Sequence, residues 1–357
     1  MSSTLGHEAD GQPLPDAGQP SVHARDSREL DASGARGPSG ARPLGSFARA
    51  GAIAVLVVIV QAVLVLLFAW PAIKTAPRDL PVIVAAPPPA AAALTERLQG
   101  ARPGALEITT VADDAAADAG LRERRAYAAF VVGPEGLSLH IASAASPVVA
   151  QLLTQQAQAL GATTGRPVPI VDVVATDADD PRGAGFAAGF LPLVLTSLAA
   201  GVLLAVAVRS RRARLAGLGL FAVLAGLAGA AVLQYWLGAL PGSYLANAAV
   251  IGLLALAVSA AVAGLAALLG AAGIGLAVLL VFVLGNPLSA VASAPELLPK
   301  PWGQLGQLLP PGAGGTLLRS TAYFDGAGGT AAVWTLSVWA VVGLVLVLVG
   351  GRQVARH

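Results

Sequence analysis

The side chains that could carry chemistry in this chain are few and far apart. The sequence contains no cysteine, which excludes thiolate metal sites, iron–sulfur ligation and a cysteine nucleophile. It contains no G-x-x-x-x-G-K-[ST] loop, and Lys74 and Lys300 are its only lysines, so it cannot hydrolyse ATP with such a loop. Ser138, His140 and Asp172 lack the spacing typical of a nucleophile and its base. We therefore predict no catalytic residue and no cofactor, and that the protein is not an enzyme.

Aspartates form two groups that could bind calcium, but neither group has the spacing of an EF-hand loop. Asp113 and Asp114 stand before an alanine-rich run, which is typical of a helix N-cap. Asp177, Asp179 and Asp180 are predicted to lie in a solvated linker. The sequence therefore predicts no metal site.

Residues 209–214 form a strongly basic segment. It holds four arginines, Arg209, Arg211, Arg212 and Arg214, between long apolar runs. We name it the arginine turn, and the positive-inside rule predicts that it lies in the cytoplasm. Two interpretations are open: the arginines set the topology alone, or they also contact a cytoplasmic partner such as an ATPase subunit. Because topology explains the basic clusters and the formal net charge is only +2, no nucleic-acid partner is predicted.

The composition is typical of a protein embedded in a lipid bilayer. Hydrophobic residues make up 55% of the chain and charged residues 12%, against about 25% charged in a soluble domain. The apolar residues fall into runs long enough to cross a hydrocarbon core about 30 Å thick. We predict six transmembrane helices: one in residues 47–71, four in residues 185–292 and one in residues 331–350. No charged residue lies at the centre of a span, which argues against an ion-coupled transporter.

Residues 72–184, between the first and second spans, hold most of the acidic side chains. Short β-branched runs alternate there with alanine-rich runs, which predicts a small α/β or α+β domain with a hairpin turn at residues 133–136. The predicted elements are strand 80–85, helix 89–99, strand 106–111, helix 114–124, strand 127–132, strand 137–142, helix 147–160 and strand 168–175.

The tails and the arginine turn predict the orientation. Residues 1–46 are rich in Gly, Pro, Ser and charged residues, which predicts a disordered cytoplasmic tail. Residues 351–357 form a second tail with Arg352 and Arg356. Six spans place both tails and the arginine turn on one side. We therefore predict a multi-pass protein of the bacterial inner membrane with cytoplasmic termini and an extracytoplasmic domain.

Residues 293–330 are too polar to span a membrane, and five prolines interrupt them. Trp302, Tyr323 and Phe324 favour the membrane–water boundary. We predict short interfacial or re-entrant helices that cover the outer end of the bundle, with residues 312–315 as a flexible linker. The uncharged turn at residues 270–275 predicts a helical hairpin.

The layout and several local patterns resemble one transporter family. Over about residues 47–350 the chain is similar to the permease subunits of type-2 ABC exporters, and more narrowly to their relatives named after the phage infection protein. The patterns that carry the resemblance are Arg124 to Val132, Ser146-Pro147 with its glutamine-rich helix, Asn286 to Ser289, Leu308 to Pro310 and Leu318 to Phe324.

The resemblance implies a homodimeric or heterodimeric permease driven by a separate ATPase subunit. Residues 47–49 and the arginine turn are the implied contacts with that ATPase. The expected substrate is hydrophobic, amphipathic or lipid-like. The alternative is a non-transporting envelope scaffold or receptor whose outer domain binds a partner. A permease needs a polar or roomy path through the bundle, whereas the alternative needs only the outer domain.

Overall fold

A computed structural model describes residues 45–350, so the predicted tails, except residues 45 and 46, lie outside the described residues. Within this part the chain is mostly helical, and six helices are long and apolar enough to cross a membrane, as predicted. They are α1 (Ser46–Ile73), α5 (Ala184–Ala207), α6 (Arg211–Ala231) with a π-helical end (Val232–Trp236), α7 (Tyr244–Leu269), α8 (Ala271–Val278) continued by a π-helical turn (Leu279–Leu284) and α9 (Gly285–Leu288), and α12 (Thr330–Gly350).

Between α1 and α5 the chain forms a five-stranded sheet in the order β2-β1-β3-β4-β5. The elements are β1 (Leu80–Ala85), α2 (Pro88–Ala101), β2 (Leu106–Val111), α3 (Asp114–Arg122), β3 (Ala128–Gly133), β4 (Gly136–Ile141), α4 (Pro147–Thr164) and β5 (Ile170–Asp172). The predicted hairpin joins β3 and β4, which are antiparallel, and the other neighbours are parallel. The last strand is shorter than predicted, and Pro169 cannot donate a ladder hydrogen bond at its start.

The central strand β1 explains why the sheet domain has helices on both faces. Successive side chains of a strand point to opposite faces. Val82 and Val84 pack with residues of α2 and α4, and Ile83 packs on the other face with α3. A strand buried on both faces is apolar at every position, as β1 is.

Helix α7 is the centre of the bundle. Some 72% of its most apolar stretch is buried, against 28% or less for the other five. Gly226 of α6 packs on the Ala248 carbonyl, and Gly343 of α12 packs on Ala260. Small residues at these contacts let the helix backbones approach closely.

A single residue joins α7 to α8. Gly270 has a φ of 62°, and Gly273 lies directly against the Leu265 carbonyl, which one continuous helix could not allow. The predicted hairpin is therefore confirmed, with a turn shorter than residues 270–275.

Residues 289–329 form a 3₁₀ turn (Pro295–Leu297), α10 (Trp302–Gln307) and α11 (Pro310–Tyr323). The prediction of a flexible linker at residues 312–315 was wrong, because these residues are buried inside α11. Pro310 and Pro311 open the helix, where the missing N–H costs no bond. Glycines come after the two prolines because other helices pack closely against α11. A Cβ at Gly314, for example, would lie 2.8 Å from a Leu254 methyl carbon of α7.

Helix α11 runs from inside the bundle to one of its ends. The Trp339 indole N–H donates to the Leu308 carbonyl (2.9 Å), which lies beside the start of α11. At a rise of 1.5 Å per residue, Trp339 lies about 14 Å from the start of α12. The Tyr323 hydroxyl, at the other end of α11, donates to the Ala239 carbonyl (2.8 Å) between α6 and α7. Helix α11 therefore lies partly within the bundle, and its re-entrant position in a membrane stays a prediction.

The bundle has two distinct ends. The sheet end carries the sheet domain, the α6–α7 connection and residues 289–329. The arginine end carries the arginine turn and Gly270. The Arg211 guanidinium donates to the Leu348 carbonyl near the end of α12 (3.2 Å). The last turn of α12 therefore lies at the arginine end.

Candidate functional site

The structure divides the four predicted arginines of the arginine turn into two pairs. Arg214 donates four hydrogen bonds of 2.7–3.2 Å to the Leu204, Ala205 and Val208 carbonyls at the end of α5. These carbonyls lie in the last turn of α5, where helical N–H partners run out, and Leu204 also accepts from the Val208 N–H (3.3 Å). Arg214 therefore caps α5. Arg211 contacts α12, as described above.

Arg209 and Arg212 are exposed. They are the two members of the predicted set that present their charge to the surroundings. The turn that joins α5 to α6 consists of residues 208–210, and Ser210 accepts a hydrogen bond from the Ala213 N–H (3.4 Å) to begin α6. The exposed pair therefore stands on a short turn that is held at both sides.

At the sheet end, the segment before α10 is bonded to the sheet domain. The Ala76 N–H donates to the Leu297 carbonyl, and the Arg78 N–H donates to the Glu296 carbonyl, each at 3.0 Å. The Arg78 guanidinium also donates to the Leu297 carbonyl (2.8 Å). These bonds tie the sheet domain to the segment that enters the bundle.

A cleft of about 310 Å³ lies at the sheet end between α1, α5 and the segment that begins with α9. We name it the lateral cleft. Phe68 of α1, Phe190 of α5 and Leu298 provide apolar walls. Asn286 and Ser289 provide polar ones. A lining of both kinds suits a molecule that has a polar and an apolar part.

Arg319 of α11 is a buried guanidinium that the sequence did not identify. It is 8% exposed, donates to the Val291 carbonyl (2.9 Å) and lies 4.6 Å from the centre of the Phe186 ring. Among the described residues no carboxylate lies within 4.0 Å of it. Burial, and then the nearby Arg124, lower the pKa of Arg319 to about 10, so it remains charged at neutral pH.

A second cavity, of about 400 Å³, lies between the sheet domain and the segment of α10 and α11. We name it the polar cavity. Arg124 donates to the Thr316 carbonyl (3.1 Å), and its guanidinium lies 5.2 Å from the centre of the Phe324 ring. The Tyr127 hydroxyl donates to the Glu296 carboxylate (2.8 Å).

Burial dominates the electrostatics of the polar cavity. It lowers the pKa of Arg124, and the nearby Tyr127 and Glu296 oppose that change. Burial also raises the pKa of Tyr127, and the Glu296 carboxylate raises it further. Tyr127 therefore remains a neutral hydrogen-bond donor to Glu296 at neutral pH.

The other residues singled out from the sequence do not form one site. The His140 ring lies 2.7 Å from the Asp118 carboxylate, and Asp172 accepts from the Ser143 hydroxyl (2.5 Å). Ser138 contacts a backbone carbonyl. No group of three potential metal ligands occurs in residues 45–350.

The two aspartate groups have different outcomes. Asp113 accepts from the Ala116 N–H (2.8 Å), which confirms the predicted N-cap. The prediction of a solvated linker was wrong for Asp180. This residue is buried and accepts a hydrogen bond from the Phe186 N–H (2.9 Å). The physical reason is that the start of α5 leaves N–H groups without helical partners, and a carboxylate satisfies one of them.

No protein-family model, curated protein or solved structure matches this chain. The resemblance to type-2 ABC permeases therefore stays a prediction. Function is inferred from the geometry of the two cavities, the buried arginines and the arginine turn.

Proposed function

We propose that this chain is the permease subunit of an ABC-type exporter that moves a hydrophobic, amphipathic or lipid-like substrate. A separate ATPase subunit powers it, and the permease acts as a homodimer or heterodimer. It resides in the bacterial cell membrane with both termini and the arginine turn in the cytoplasm and the sheet domain outside. The observation that carries this proposal is the lateral cleft.

The lateral cleft supports an amphipathic substrate in two ways. Its walls combine Phe68 and Phe190 with Asn286 and Ser289, so both parts of such a molecule find a matching surface. It also lies beside α1, whose most apolar stretch has no buried residue within the structure. A helix with so little packing can move relative to its neighbours and admit a substrate from the lipid.

The spans themselves support the same substrate class. Within the described spans, the only charged residues are Arg49 in the first turn of α1 and Arg211, Arg212 and Arg214 in the first turn of α6. Transport coupled to ions usually needs an ionisable residue on the pathway. Spans without a charge at their centres instead favour an apolar or amphipathic substrate and an external source of energy.

The arginine turn supports an ATPase partner on the cytoplasmic side. The chain lacks a phosphate-binding loop, so the energy must come from another protein. Arg209 and Arg212 are exposed and can pair with acidic residues of that protein. Because Arg211 and Arg214 hold neighbouring helices, movement of the turn would reach α5 and α12 directly.

The proposal is tested with inside-out membrane vesicles, ATP and a fluorescently labelled phospholipid. Wild-type vesicles are expected to move the label into the lumen when ATP is added. Ala187→Leu, which narrows the lateral cleft, should reduce this movement at least five-fold. Ala188→Leu is the control, because Ala188 is exposed on the same helix. The double change Arg209→Ala and Arg212→Ala should abolish ATP dependence.

Three results would each count against the proposal or one part of it. Wild-type vesicles with no ATP-driven movement of any labelled phospholipid would remove the transport function. Equal activity of the Ala187→Leu and Ala188→Leu variants would remove the lateral cleft from the path. Full ATP dependence in the double arginine variant would contradict only the assignment of Arg209 and Arg212 as contacts with the ATPase.

The alternative function, an envelope scaffold or receptor, is favoured by one observation. β2 is an edge of the sheet and pairs only with β1 among the described strands. Such an edge can accept a strand from a partner protein. Absence of ATP-driven movement together with a partner that protects β2 from hydrogen exchange would favour this function.

A further inference from the structure

We propose that the polar cavity binds the monoanionic head group of an amphiphile, a phosphodiester or a carboxylate, while the apolar tail remains in the bilayer beside α10. This site does not depend on transport, because a receptor or scaffold could use it equally. Charge, backbone conformation and the position of α10 each support it.

The charge around the cavity points to an anion. Arg124 and Arg125 line the cavity. Arg319 lies behind the cavity, close enough to Arg124 that the charge on Arg124 lowers the pKa of Arg319. Glu296 also lines the cavity, and Glu123 pairs with Arg125 at 2.8 Å. Three arginines and two glutamates leave one positive charge, which a monoanion would balance.

The buried arginines lack direct ion pairs. Among the described residues no carboxylate lies within 4.0 Å of Arg124 or Arg319. Taking a cation out of water is costly unless an opposite charge or strong hydrogen bonds replace the water. An anionic head group would supply this counter-charge.

The backbone at Arg124 has a conformation that is uncommon for an arginine. Arg124 follows the end of α3 with a φ of 55°, the left-handed conformation that glycine adopts most readily after a helix. A non-glycine residue there stores strain, and such strain is concentrated at functional sites. The arginine side chain reaches Thr316 and Phe324 from this position, which glycine could not do.

Helix α10 connects the polar cavity to the lipid. Gln304 and Gln307 line the cavity, whereas Trp302, Leu305 and Leu308 are exposed. The Trp302 ring also lies edge-on to Trp70 at the end of α1, with ring centres 6.4 Å apart. Tryptophans favour the level of lipid head groups. A head group in the cavity would therefore lie at its natural depth, with its tail along the apolar face of α10.

The test uses the purified full chain in a neutral detergent and two labelled lipids, phosphatidylglycerol and phosphatidylcholine. Wild type should bind phosphatidylglycerol at least ten-fold more tightly. Arg124→Gly should abolish this preference, and glycine suits a φ of 55°, so the fold is kept. Arg124→Lys retains the charge and should restore most of the preference. Arg122→Gln is the control, because Arg122 is an exposed arginine at the end of α3, two residues before Arg124.

The proposal is overturned if wild type shows no preference for phosphatidylglycerol, or if Arg124→Gly retains it with an unchanged melting temperature. Inorganic phosphate provides a further arm. Displacement of the lipid by millimolar phosphate would identify a free anion as a sufficient occupant. No displacement would show that the head group must be attached to its tail. Binding of these lipids requires no ATP, so a negative result in this assay can be distinguished from a failure of the proposed transport.

Discussion

The sheet end and the arginine end of this bundle are built in opposite ways. All five tryptophans of the chain lie toward the sheet end, in α1, α6, α10 and the first half of α12. All four tyrosines lie at that end or in the sheet domain. At the arginine end the described connections are residues 208–210 and Gly270 alone. The sheet end is therefore rich in aromatic residues and carries a folded domain that is hydrogen-bonded to the bundle. The arginine end consists of two short turns, one of which is basic.

This difference indicates a division of labour. The sheet end has the lateral cleft, the polar cavity and the buried helix α11. The arginine end presents two exposed cations, Arg209 and Arg212. We infer that the sheet end provides binding and that the arginine end receives force from a partner. This comparison is tested by substitutions whose effects on stability are expected to differ between the two ends.

The largest expected difference is between a glycine of α11 and a glycine of α6. A Cβ at Gly312 would overlap the Gly306 carbonyl, whereas a Cβ at Gly219 would meet open space. Gly312→Ala should therefore destabilise the protein by about 1–3 kcal/mol, as overpacking does. Gly219→Ala should stabilise it by up to about 1 kcal/mol, because alanine is the better helix former. Thermal unfolding in detergent measures both. Equal melting temperatures would mean that α11 is not packed as tightly as the structure has it.

A smaller difference is expected between two arginines of the arginine turn. Arg214→Ala removes four hydrogen bonds to the end of α5 and should cost about 1.5 kcal/mol, since this half-buried cation still meets water. Arg212→Ala should change stability by less than about 0.5 kcal/mol, as exposed substitutions do. The same unfolding assay applies. A larger loss for Arg212→Ala would show that it also holds a helix, and would remove it as a free contact for the ATPase.

Much of the fold could be predicted because the patterns are local. β1 and β2 occupy their predicted residues, since short β-branched runs between turn residues are typical of strands. The six apolar helices follow from run length alone. Arg214 and Arg209 could not be told apart, because the sequence shows four arginines in one turn and not which carbonyls they reach.

The sheet-end site could not be predicted because its parts are far apart in the chain. Arg124 and Thr316 are 192 positions apart, and Tyr127 and Glu296 are 169 apart. The proline and glycine run of α11 is typical of loops, and only packing against α7 and Val291 makes it helical. Arg319 is a single arginine in a polar stretch, and nothing around it in the sequence indicates burial.

The smallest expected effect concerns the exposed ion pair between Lys300 and Asp79, which joins the segment before α10 to the sheet domain. Exposed pairs contribute about 0–1 kcal/mol because water screens them, so Lys300→Ala should lower stability by less than about 1 kcal/mol. That loss should vanish in about 1 M salt, where charges are screened within about 3 Å. Tyr127→Phe is the matched comparison, since it removes the hydrogen bond from the Tyr127 hydroxyl to the Glu296 carboxylate at the same junction. The donor is neutral and the bond is half-buried, so this loss should depend much less on salt. If salt abolished both losses alike, the junction would be open to water, and the sheet end would be clamped no more firmly than the arginine end.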